Sequence, residues 1–137
     1  MGIDRSENLL NEIGKLLTED REYPFKPTIL YAELNQNVVG ESIFKDLGSH
    51  IIFLLPIIDR LPYALLDLWE IQGENNRWIE MEYVLRDGKF EVTYFYRDDI
   101  DPEEDLTERR NRSVERHFGH KPIVYPSLND DVPDYIL

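Results

Sequence analysis

The chain contains no cysteine, which excludes a disulfide framework, a thiol nucleophile and a thiolate metal site. It has only three histidines, His50, His117 and His120, and its seven glycines form no phosphate-cradling loop. Bases are scarce: 15 Lys and Arg stand against 28 Asp and Glu, a net charge of −13. A field of that sign repels phosphate backbones and anionic membranes, and attracts cations or a basic protein. Long apolar runs are missing too. The longest, Ile51 to Ile58, has Pro56 inside it and falls far short of the ~20 residues of a membrane helix. Charged residues begin at Asp4, with no apolar region that reads as a targeting signal. The expectation is a cytoplasmic protein that binds neither nucleic acid nor membrane.

What is present makes a folded domain. Of 137 residues 42% are apolar and 12% aromatic, and a chain of this size buries about 68% of its unfolded surface. Residues 1–126 read as a single domain and 127–137 as an acidic tail, with Pro122, Pro126 and Pro133 keeping the chain extended from Lys121 onward. Ser6 to Leu17 is a predicted helix: Leu9, Leu10, Ile13, Leu16 and Leu17 recur at helical spacing, and Asp4 or Ser6 can cap it. Three predicted strands follow, Thr28 to Leu34, Val38 to Lys45 and Ser49 to Leu55, separated by turn clusters at 35–37 and 46–48. Thr28 to Leu34 is a candidate exposed strand for pairing across a homodimer. A broad apolar face marks a core helix from Leu61 to Gln72, with Pro62 in its first turn, Gly73 after its end and a polar loop at 74–76.

Arg77 to Arg97 is a hairpin. Two alternating runs flank Asp87-Gly88, a pair suited to a two-residue type I′ turn in which both central residues need positive φ. Such a turn dictates the register: Leu85 faces Phe90, Tyr83 faces Val92, and Met81 faces Tyr94 on one apolar side. Glu82 faces Thr93, Glu80 faces Phe95, and Trp78 faces Arg97 on the other. The last helix is read from Asp101-Pro102-Glu103-Glu104, a cap with Pro at the first helical position, to Gly119. Its apolar stripe is thin, Leu106, Val114 and Phe118, so one side packs on the sheet and the rest stays wet. The expected class is α+β: an antiparallel sheet of about five strands with helices on one face, in the order α-β-β-β-α-β-β-α.

Several of these elements together carry a resemblance. An amphipathic N-terminal helix precedes Leu30-Tyr31-Ala32-Glu33. Trp78 then leads an alternating strand into Asp87-Gly88-Lys89-Phe90, and an acidic stretch is followed by Glu108-Arg109-Arg110, Phe118-Gly119, Pro122 and Tyr125-Pro126. From about residue 6 to residue 126 the chain resembles the YezG-like family. The resemblance implies an immunity protein, or antitoxin, that binds a cognate bacterial polymorphic toxin, often a nuclease, and neutralises it without being an enzyme.

The chemistry-bearing residues each have a plainer reading beside the functional one. His117 and His120 have metal-pair spacing, but Gly119 separates them and no third ligand is evident, so neither a metal nor a cofactor is expected. Glu80 and Glu82, ~6.6–7 Å apart on one strand, suit an acid/base pair of a small hydrolase, though the commoner meaning is a solvated strand face. The run Asp98, Asp99, Asp101, Glu103, Glu104 and Asp105 is either a wet loop or a docking patch for a basic partner. The expected toxin-binding residues are Trp78, Glu80, Glu82, Glu91, Asp98, Asp99 and Asp101. A protein-interaction module with a different partner is the alternative.

Overall fold

The computed structural model describes residues 5–19, 23, 25–35, 38–54, 59–71 and 77–125. The expected cap at Asp4, turn residues 36–37, Gly73, the 74–76 loop and the 127–137 tail lie outside them. The elements run α1 (Arg5–Leu17), β1 (Thr28–Leu34), β2 (Val39–Asp46), β3 (Ile51–Leu54), α2 (Leu61–Ile71), β4 (Glu80–Arg86), β5 (Lys89–Phe95), α3 (Leu106–Phe118) and β6 (Ile123–Val124). The class is α+β. The six strands are ordered β5-β4-β1-β2-β3-β6, all antiparallel except that β6 joins β3 in parallel. Among the described residues no helix is long and apolar enough to cross a membrane.

The hairpin has the register its turn requires. Arg86 pairs with Lys89, Tyr83 with Val92 and Glu80 with Phe95, and Asp87 and Gly88 take φ of 52° and 76°, the left-handed values of a type I′ turn.

Strand alternation gives the sheet two faces. On one, Leu30, Ala32, Leu34, Ile43, Met81 and Tyr83 pack with Leu9, Ile13, Leu17, Leu61, Leu65 and Leu68 of α1 and α2. On the other, Ile29, Phe44, Ile51 and Val84 pack with Val114 and Phe118 of α3. The helices therefore occupy both faces. The reason lies in β1: Ile29 and Tyr31 are as buried as Leu30 and Ala32, so the second face also needs a cover.

Four further expectations change with the structure. Thr28–Leu34 is not exposed but lies between β2 and β4, so it cannot pair across a dimer; among the described residues the outermost strands of the sheet are β5 and β6. The chain after Lys121 is not all tail, because Ile123 and Val124 pair with Ile51 and Ile52. α3 starts four residues later than expected, its cap lying at Asp105 and not at Asp101. Asp105 accepts from the Glu108 amide, while Asp101 closes a turn by accepting from the Glu103 amide at 2.9 Å. Trp78, placed on the outer face by strict alternation, is fully buried with the α1/α2 core. It precedes the ladder, so alternation does not constrain it. Its ring packs 5.5 Å from Tyr94, and its carbonyl accepts from Trp69 Nε1 at 2.7 Å.

Candidate functional site

The site is the polar seam between α3 and the sheet, together with the acidic loop that leads into it. The inward positions of α3 are Leu106, Arg109, Arg110, Ser113, Val114, His117 and Phe118, which recur at i, i+3, i+4, i+7. Four of these seven are polar. They meet the two carboxylates that strand alternation sends to the same side, Glu80 and Glu82. Two residues of strand advance ~6.6–7 Å and four residues of helix about 6 Å, so the helix repeat matches the strand repeat and each carboxylate meets its own partners.

Glu80 is 2% exposed. Its Oε1 accepts from Arg109 Nε at 2.8 Å and its Oε2 from Arg109 Nη2 at 2.5 Å, the two-pronged geometry that suits guanidinium to carboxylate. Tyr31 Oη also donates to Oε1 at 2.7 Å. The bond to Glu80 raises the Arg109 pKa, while burial first, and then Glu80, push the Tyr31 hydroxyl far above its ordinary value. Glu82, also 2% exposed, accepts from Ser113 Oγ at 2.6 Å and from Arg116, and lies 2.8 Å from His117 Nε2. Burial alone would raise the Glu82 carboxyl, but the bonds from Ser113, His117 and Arg116 outweigh it and hold the group below its ordinary range. Arg110 Nη1 donates to Ser42 Oγ at 2.7 Å, with its guanidinium over the Phe44 and Phe53 rings. At the far end Arg86 Nη2 donates to the His117 carbonyl and lies over Phe118.

These placements correct two expected docking residues outright. Glu80 and Glu82 are not a solvated strand face. They are covered by α3, and an ionised Glu82 held by three donors has no proton to give as a general acid. Trp78 is likewise enclosed. None of the three can touch a partner. The remaining four do reach solvent. Glu91 is exposed on β5, and Asp98, Asp99 and Asp101 are exposed in the loop after it. A 3₁₀ turn, Arg97–Asp99, shapes this loop, with Asp99 Oδ2 accepting from the Tyr96 amide at 2.9 Å. Among the described residues no ion pair engages any of the four.

Between this loop and α3 lies a cleft of about 180 Å³, bordered by Phe95, Asp99, Asp101, Glu104, Arg112 and Arg116. Its floor is Tyr31, whose ring stacks on Phe95 at 6.2 Å. Arg112 is already bound to Glu104. The arginine partners of Glu80 and Glu82 escaped a reading of each element alone, although the spacing of Arg109, Ser113 and Arg116 was visible: three donors on one side of a helix announce a buried acid opposite. Among the described residues no group of three His, Asp or Glu is arranged to hold a metal ion. Compared with models of protein families and with curated proteins, the chain matches none.

Proposed function

We propose that the protein is an immunity protein that neutralises a cognate bacterial toxin, a nuclease in the simplest case, by covering its basic, nucleic-acid-binding surface. One observation carries the reading: Arg109, Arg112, Arg116 and Lys121 are already paired with acids of this fold, while Glu91, Asp98, Asp99 and Asp101 are exposed and, among the described residues, have no ion-pair partner. Arg109 and Arg116 hold Glu80 and Glu82, Lys121 holds Asp46, and Arg112 holds Glu104. Glu91, Asp98, Asp99 and Asp101 are left to shape the field. Carboxylates displayed so offer a cationic groove the same charge as a phosphate backbone, which speeds encounter and favours the right partner. The resemblance to YezG-like immunity proteins points the same way.

The test is co-expression with any toxin gene found beside this one. Growth should be rescued by the protein and lost when Asp98, Asp99 and Asp101 are together changed to Lys. Killing that continues in the presence of soluble protein would sink the proposal.

A further inference from the structure

The outer edge of β5 offers a mode of binding to go with the acidic surface. β5 ends the sheet, and among the described residues no strand pairs with its outer side. The two-residue turn places Lys89, Glu91, Thr93 and Phe95 opposite Arg86, Val84, Glu82 and Glu80. In an antiparallel ladder closed this way, those four turn their amides and carbonyls toward β4, and Phe90, Val92 and Tyr94 turn theirs outward. Such an edge is a template for another strand.

The side chains at this edge are unfinished in the same sense. Phe90, Val92 and Tyr94 belong to the α1/α2 core, yet each is only half-buried, whereas Tyr83 and Met81 on the next strand are fully enclosed. On the opposite side of β5, Lys89, Glu91 and Thr93 are exposed. An added strand would therefore meet half-covered apolar side chains on one face and Glu91 on the other. The segment 87–105, which contains the edge and the loop beyond it, carries eight acids (Asp87, Glu91, Asp98, Asp99, Asp101, Glu103, Glu104, Asp105) against Lys89 and Arg97, a net of −6. A second copy docked here would set one −6 segment against another. A basic chain would be drawn to it.

We infer that the outer edge of β5 accepts an extended segment of the partner protein, with alternating apolar and basic residues, as an additional strand. The inference rests on the proposed docking to a basic partner and gives it a geometry: main-chain bonds to Phe90, Val92 and Tyr94 supply register, and alternate side chains supply selectivity.

The experiment is amide hydrogen exchange by NMR on the full chain, with the peptide acetyl-Lys-Val-Lys-Thr-Lys-Val-Lys-amide as the probe. A version N-methylated at every residue keeps the charge but has no main-chain donor on either edge. The inference expects the Phe90, Val92 and Tyr94 amides to slow by at least about tenfold with the first peptide and not with the second. The comparison uses the wild-type chain, so it does not depend on a variant that folds. Val92→Pro, which removes an outward amide without touching the β4 ladder, should abolish the effect if it folds. Binding that perturbs Asp98 to Asp101 but leaves the three amides unprotected by either peptide would overturn strand addition while leaving an acidic docking surface standing. Protection of the same amides that grows with protein concentration and needs no peptide would assign the edge to a second copy and overturn the inference. Absence of any binding at low salt would count against both the inference and the docking reading on which it rests.

Discussion

Leu30 and Tyr31 are neighbours in the chain, both are buried, and they face differently built interfaces. On the Leu30 side α1 and α2 are joined to the sheet by a continuous apolar core. On the Tyr31 side α3 touches the sheet through Val114 and Phe118 only at one end of a seam of arginine, serine and histidine bonded to two buried glutamates. Each face also carries a carboxylate with the opposite fate. Glu41, beside Ala32 on the apolar face, has a buried Oε2 with no hydrogen-bond partner, and burial raises its pKa to about 7. Glu82 is more enclosed, yet its three donors keep it below the ordinary range. Burial alone does not decide whether a carboxylate is charged; the donors that burial brings with it do.

The sharpest way to break this comparison is to remove one member from each face. Trp78→Ala and Arg109→Ala should each cost roughly 3–5 kcal/mol, the first by leaving a cavity and the second by leaving Glu80 buried without its cation, read as shifts of the urea midpoint. The two differ in rescue. Adding Glu80→Leu to Arg109→Met should recover most of the loss, because an apolar pair needs no desolvation. A double variant as unstable as Arg109→Ala would show that the seam stabilises through its charges after all.

pH separates the faces next. Glu82 has a depressed folded pKa, so its stabilisation is present above the unfolded carboxyl value of ~4.3 and is lost as pH falls through the lower folded value. Glu41 has a raised one, so its favourable contribution is present below the unfolded value and is lost as pH rises toward about 7. Glu41→Gln should therefore raise Tm at pH 8 and leave it nearly unchanged at pH 4. Glu82→Gln should lower Tm at pH 7, with a difference that shrinks in acid. Thermal melts at the three pH values check both signs.

A smaller effect tests how tightly the apolar face is closed. A Cβ on Gly14 would lie 2.6 Å from Tyr83 Oη, which donates to the Leu10 carbonyl at 2.7 Å. Gly14→Ala gains about 1 kcal/mol of helix propensity but must displace a buried tyrosine, at a cost of roughly 1–3 kcal/mol. The net result should be a lower Tm, and a rise would show that Tyr83 yields easily. Smallest of all, Asp98→Lys lies outside both interfaces, breaks no hydrogen bond of the loop, and should change stability by no more than about 0.5 kcal/mol. Any consequence belongs in the salt dependence of association with a basic partner.

Local pattern was enough for much of the fold. The hairpin register followed from Asp87-Gly88, because two positive φ values leave one pairing, and α1, β1 and α2 followed from apolar spacing. The polar side of β4 was the point at which local pattern misled. Glu80 and Glu82 alternate with apolar residues whether water or a helix lies above them, and strand period is blind to what covers it. Asp101 and Asp105 both resemble caps, and only the packed position of α3 selects between them. The sequence by itself determined the charge, the turns and which side chains share a strand face, since these are properties of neighbours a few residues apart. The tertiary structure decided which carboxylates are matched by arginines and which meet solvent, because that depends on segments 29 and more residues apart, such as Glu80 and Arg109, whose meeting no local rule encodes.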